Sequence, residues 1–112
     1  MDSQRQLKVS KMLQRELGDM FQREGKSKYG GAMITVTKVM VTKDLSLARV
    51  FLSLFATKDK QALLETIRMN AGETRYNLGK RIKNQVRHIP DLEFFEDDSL
   101  DYIEKIEDLL DK

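Results

Sequence analysis

The segment Asn70–Pro90, NAGETRYNLGKRIKNQVRHIP, has the repeat of an amphipathic helix with a glycine near its start. At about 100° per residue, Ala71, Leu78, Ile82, Val86 and Ile89 fall on one face. Lys80, Lys83 and Arg87 fall on the opposite face, with Tyr76 and Asn84 beside them, and Arg75 and Arg81 flank the apolar stripe. Such a stripe is stable only when buried against a second layer. The stripe extends upstream through Leu64 and Ile67, across Gly72, so the backbone is helical on both sides of a weak point. The pattern therefore predicts two helices meeting at a kink over Asn70, Ala71 and Gly72. Gly72 has two compatible readings, a close crossing of two helices and a part of an RNA-facing surface where a bare backbone is admitted, so Gly72→Val is expected to destabilise the domain and weaken binding together. Pro90 sets the far limit: the residue before a proline avoids helical angles, so the third helix is expected to end at His88 and Pro90.

The rest of the chain supplies what this helix pair can pack on. Ser3 and Gln6 match a capping box that opens a first helix. On that helix Val9, Met12, Leu13, Leu17 and Met20 share a side with one acid, Glu16, while Lys8, Lys11 and Arg15 share the other. Gly25 is a stop signal, and KSKYGG forms a loop. Met33–Thr42 and Leu47–Ala56 are rich in β-branched and aromatic residues and alternate in part, as strands do. The short link Lys43–Ser46 implies an antiparallel hairpin. Asp59 caps a second helix, with Ala62, Leu63, Leu64 and Ile67 inward. Asp91–Glu96 is a short third strand. Leu100, Ile103, Ile106 and Leu110 keep helical spacing behind a capping Ser99, so the acidic end is expected to form a short amphipathic helix. The expected architecture is α+β: residues 1–96 form a three-stranded sheet packed on three helices, and residues 97–112 are a C-terminal tail. The methionines at 12, 20, 33, 40 and 69 are expected to fill the core.

A chain of 112 residues makes one domain. It has no apolar run of roughly 18 residues, as a membrane span would need, and no signal-peptide pattern. There is no cysteine, so disulfides and thiolate metal sites are excluded. These points suggest the cytoplasm; a monomer is expected. The net charge of +2 conceals a split: residues 1–90 hold 18 Lys+Arg and 8 Asp+Glu, whereas residues 91–112 hold 2 and 10. The sole histidine, His88, has no neighbouring partner that would make it an acid–base catalyst. Glu96-Asp97-Asp98 lacks the spacing of a calcium loop, and no glycine-rich phosphate cradle is present. No enzyme, metal site or cofactor is therefore expected. The basic helix faces suit a polyanion with exposed bases, and RNA first. The candidate contacts are Lys8, Lys11, Arg15, Arg75, Tyr76, Lys80, Arg81, Lys83 and Arg87. The acidic tail has three readings: a solvated helix, a helix packed back on the body, or an occupant of the basic face that RNA displaces.

The element order, helix–strand–strand–helix–kink–helix–strand, is that of a type II KH domain. Three sets of residues narrow it further: Asp44-Leu45-x-x-Ala48-x-Val50, Gly72-x-x-Arg75-x-x-Leu78-Gly79, and Arg87-x-x-Pro90-x-Leu92-x-Phe94-Phe95-x-Asp97-x-Ser99-Leu100. In order and spacing the chain resembles the bacterial ribosome-binding factor A family from about Gln6 to Leu110. In that family an Ala-x-Gly kink replaces the Gly-x-x-Gly loop of ordinary KH domains. Here Gly-x-x-Gly is absent, and Asn70 stands at the first kink position. A second departure is Ile103, where some relatives carry glycine. The resemblance implies a non-catalytic factor that binds the small (30S) ribosomal subunit and 16S rRNA. It further implies help in late rRNA maturation, including the 5′ end, a benefit to growth in the cold, and release aided in some bacteria by an assembly GTPase. The competing readings are a generic single-stranded nucleic-acid-binding KH module and a protein-interaction adaptor.

Overall fold

The computed structural model describes residues 3–25 and 27–97. Helix α1 (Gln4–Glu24) begins with the expected capping box: the Gln6 N–H donates to Ser3 Oγ at 3.2 Å, and the Ser3 N–H donates to Gln6 Oε1 at 2.9 Å. It ends at Gly25, whose N–H donates to the Phe21 carbonyl at 2.9 Å. A Cβ on Gly25 would sit 2.6 Å from the Ala32 carbonyl oxygen, so the return of the chain into β1 (Met33–Val41) requires a residue without a side chain there.

Strand β2 (Leu47–Phe55) pairs antiparallel with β1, from Met33 opposite Phe55 to Val41 opposite Ala48. A bulge at Thr37 shifts the register between Val36 and Lys38, which is why the alternation of β1 looks partial in the sequence. Strand β3 (Asp91–Glu96) lies on the other side of β2 and runs parallel to it, as a strand reached through a helical crossover must. The crossover is α2 (Lys60–Met69), capped by Asp59 through the Ala62 N–H at 3.1 Å, followed by α3 (Ala71–Ile82).

All three helices cover one face of the sheet. Ile34, Val36, Val39 and Val41 of β1, Ala48, Val50, Leu52 and Leu54 of β2, and Phe94 of β3 are buried against Leu13, Leu17 and Phe21 of α1, Ile67 of α2, and Leu78 and Ile82 of α3. Each such side chain contributes about 1.5–3 kcal/mol by leaving water. Gln6 and Gln14 reach from α1 to β1: their side-chain amides donate to the Val41 carbonyl at 3.0 Å, and to those of Val36 and Thr37 at 3.4 and 3.3 Å. The observed α+β architecture is KH-like, as expected. After β3 the Asp97 N–H donates to the Leu52 carbonyl at 2.7 Å, and its carboxylate accepts from Thr37 Oγ1 at 2.7 Å, which fastens the end of the described chain across β2. The expected tail helix lies outside the described residues.

Three expectations change. The third helix stops at Ile82 instead of continuing to His88. The N–H groups of Gln85 and Val86 both turn to the Ile82 carbonyl, at 2.8 and 3.3 Å, which ends the helical ladder. Arg75 then holds the chain folded back, donating to the carbonyls of Ile89 at 2.6 Å and Pro90 at 3.2 Å. Val86 and Ile89 therefore pack against the core from an irregular segment and not from a helix face.

The kink is present but does not depend on Gly72. A Cβ at Gly72 would meet nothing within 4 Å. The break is one residue, Asn70, at φ −93° and ψ 9°; its N–H is shared between the carbonyls of Thr66 and Ile67, and its own carbonyl accepts from the Thr74 N–H at 2.9 Å. The steric reason for expecting damage from Gly72→Val is thereby removed. Finally, Met33, Met40 and Met69 are 62%, 39% and 86% exposed and do not fill the core.

Candidate nucleic-acid interface

Helices α1 and α3 lie side by side, as the two basic rows require if they are to form one surface. What joins them is one of the expected contacts. Arg81 Nη1 donates to Asp19 Oδ2 at 2.8 Å and to Glu16 Oε2 at 3.3 Å. This accounts for the acid on the apolar side of α1. The hydrogen bond from Arg81 holds the Asp19 carboxyl below its ordinary range, and Asp19 in turn raises the guanidinium. Arg75 is also committed to the fold, through the carbonyls of the 89–90 segment and an ion pair with Asp91 at 3.3 Å. Arg75 and Arg81 are thus structural clamps, so part of the donor capacity of these two expected contacts is taken up by the fold.

The remaining cations separate into two groups, divided by the 83–90 segment. On α3, Lys80 Nζ sits 4.6 Å above the ring of Tyr76, which is 65% exposed. With Lys83, they border a shallow groove of about 290 Å³ closed by Ile89. A cation resting on an exposed ring offers both a phosphate partner and a stacking surface.

The second group forms where the helix was expected to continue and does not. Because the chain turns after Ile82, Arg87 lies beside the start of α1 and not in line with Lys80. It borders a cavity of about 480 Å³ together with Lys8 and Arg5. Arg5 was missed by the sequence reading, although its position three residues before Lys8 is a helical-neighbour signal. Lys11 and Arg15 continue this row on exposed positions of α1, with Arg15 in a loose 3.7 Å contact to Glu16. Arg5, Lys8, Lys11, Lys83 and Arg87 form no ion pair among the described residues, so their charge is directed outward.

The opposite, helix-free face of the sheet differs in character. Phe51 and Phe95 stack at 5.5 Å, Arg68 and Lys60 lie over the rings of Phe95 and Phe55, and Arg49 pairs with Glu93 at 3.7 Å. Arg49, Arg68 and Lys60 are matched there by an acid or an aromatic ring, while Lys38 stands exposed on β1 opposite Phe51; the larger group of outward cations is on the helical side. Among the described residues no group of acids, histidines or cysteines could hold a metal ion.

Comparison with known proteins agrees with this architecture. The family model for ribosome-binding factor A matches residues 5–110. Ribosome-binding factor A of Cytophaga hutchinsonii is 39% identical over 112 residues, covering 100% of this chain and 84% of the relative. That of Flavobacterium johnsoniae is 42% identical over 111 residues, covering 98% and 85%. Among solved structures, ribosome-binding factor A from Thermus thermophilus superposes with a TM-score of 0.67 at 22% identity, covering 81% of this chain and 94% of that one. The Thermotoga maritima protein described as a putative ribosome binding factor A superposes with a TM-score of 0.66 at 21% identity, covering 87% and 91%. A further match, at a TM-score of 0.62 and 24% identity over 79% of this chain and 90% of the other, is a Thermus thermophilus ribosome binding factor A fitted into a 30S complex. With a helical crossover broken at one residue, a matching family model over nearly the whole chain and relatives about 40% identical that align over 98–100% of it, this chain belongs to the ribosome-binding factor A family.

Proposed function

We propose that this chain is a non-catalytic assembly factor that binds the small ribosomal subunit through 16S rRNA and stays attached until the particle matures. The observation that carries this reading is the group of cations, without ion pairs among the described residues, gathered from α1, α3 and the 83–90 segment on the helical side of the sheet. Phosphate contacts from these side chains supply affinity, and the shape of the folded RNA supplies most of the selectivity. Its action is binding: an arrangement of rRNA that fits this surface is favoured over one that does not, by as much as the two affinities differ. Within that reading, the protein acts as a cytoplasmic monomer, assists late maturation of the 16S 5′ end, supports growth in the cold, and is released with the help of an assembly GTPase.

The test is co-sedimentation of the purified chain with immature and mature 30S subunits across a salt series, beside a Lys80/Lys83/Arg87→Glu variant. Salt-sensitive binding to subunits, reduced at least tenfold in the variant, is the expected result. Absence of subunit binding by a folded wild-type chain at low salt would remove the proposal. A second reading, a protein adaptor, is favoured by the exposed Met33 opposite Phe55, on the sheet face that also carries the stacked Phe51–Phe95 pair. It requires capture of a protein partner that salt does not weaken.

A further inference from the structure

The cavity between the first turns of α1, the β1–β2 turn and the 83–90 segment combines two chemistries. Its floor is apolar, built from half-buried Met12, Leu45 and Val86. Its rim is cationic, with exposed Arg5 and Lys8 on one wall and Arg87 on the other. At about 480 Å³ it falls in the range of small-ligand sites. A bare phosphate needs the cations but not the floor; an apolar side chain needs the floor but not the cations. A nucleotide lifted out of a stack needs both.

The turn that forms one wall is held in an unfavourable conformation. Leu45 has φ 63°, a left-handed backbone that costs a branched residue roughly 1–2 kcal/mol and that glycine or asparagine would adopt more easily. It is fixed by its N–H to the Thr42 carbonyl at 2.9 Å and by Asp44, whose Oδ1 accepts from Thr42 Oγ1 at 2.7 Å, Ser46 Oγ at 2.8 Å and the Ser46 N–H at 3.1 Å. Asp44 is the only acid among the described residues that line this cavity, and its Oδ1 is turned into the turn itself. Beside it, the exposed Gln85 offers an amide that can both donate to and accept from a base edge.

We propose that this cavity receives a single unstacked RNA nucleotide, its ring against Met12, Leu45 and Val86 and its phosphate among Arg5, Lys8 and Arg87. The proposal rests on the RNA-binding reading given above and narrows it: the protein takes hold of a flexible single-stranded stretch of RNA, not only a helix surface. It also assigns a purpose to the chain turning after Ile82, since a helix continued to His88 would not form this wall.

The test uses the full chain and a 5′-labelled hexaribonucleotide with 2-aminopurine at its third position, beside the matching duplex. The single strand should bind roughly tenfold more tightly than the duplex, and 2-aminopurine should brighten as it leaves its stack. Val86→Trp, which fills the floor, should abolish the preference. Arg87→Gln, an exposed change that leaves the fold intact, should lower the slope of log affinity on log salt by about 0.7. Equal binding of duplex and single strand, no change in 2-aminopurine emission with Arg87→Gln bound as tightly as wild type, or displacement of the RNA by hexaglutamate at equal charge would each overturn the proposal. Sedimentation with 30S subunits is run in parallel. Subunit binding without hexamer preference removes the cavity proposal alone, and hexamer binding without subunit binding removes the ribosomal reading alone.

Discussion

Gly25 and Gly72 look equivalent in the sequence, since each sits where a helix is interrupted, but their surroundings differ. Gly25 has an ordinary right-handed conformation and is required because the Ala32 carbonyl occupies the place of a Cβ. Gly25→Ala should therefore lower stability by about 1–3 kcal/mol through a forced backbone shift. Gly72 faces open space inside α3, so Gly72→Ala should raise stability by about 0.5–1 kcal/mol. Urea unfolding of both variants checks the two signs together. Asp44 gives a second residue-scale prediction: hydrogen bonds from Thr42 and Ser46 hold its carboxyl down to about 2. Its folded value lies below the usual carboxylate value of about 3.9, so its contribution is complete above that value and is lost as pH falls toward 2. An NMR titration of its carboxyl carbon should show that low midpoint in wild type and a higher one in a Thr42→Val/Ser46→Ala double variant, which keeps only the backbone donors. Local chemistry of this kind was legible beforehand where a side chain bonds its own neighbours, as at Ser3, Gln6 and Asp59. The crowding at Gly25 was not, because the crowding atom belongs to the next strand.

For the elements, the two strands of the hairpin, the third strand and the first two helices could be read from the sequence because each has a strong period and a terminating signal. The end of α3 could not. Val86 and Ile89 continue the apolar repeat arithmetically, yet the chain reaches those positions through a turn that Arg75 locks by binding two carbonyls 14 and 15 residues away. The same long-range bonding explains why only part of the arrangement of the candidate contacts was legible. Lys80, Lys83 and Tyr76 share a surface as their spacing implies, whereas Arg87 moves to the α1 side and Arg75 and Arg81 bond to carbonyls and acids of the fold. A paired experiment separates these roles. Arg81→Ala should lower the melting temperature by roughly 2–6 °C, because it unties α1 from α3, and should leave the salt dependence of subunit binding as in wild type. Lys83→Glu should leave the melting temperature unchanged and weaken subunit binding at low salt. Calorimetry and sedimentation on the two proteins give the four readings.

At the scale of the whole molecule, the charge asymmetry visible in the sequence acquires a direction. Among the described residues most outward cations are on the helical side, while on the other face Arg49, Arg68 and Lys60 are matched by an acid or a ring and Lys38 is exposed. Binding to subunits should accordingly weaken steeply with salt, with a slope that drops by about one for each outward lysine or arginine neutralised; equilibrium binding at four ionic strengths for single variants at Lys8, Lys83 and Arg87 measures it. The fastening of Asp97 across β2 to Thr37 has a further consequence. By strand alternation Asp97 belongs with Glu93 and Phe95 on the helix-free face, and the acidic residues 98–112 start from that point. Among the described residues most outward cations gather on the side of the sheet away from Glu93 and Asp97, so near a large polyanion the body should experience a torque as well as an attraction, and more of its collisions should present the cationic side than for a uniformly charged body of the same net charge.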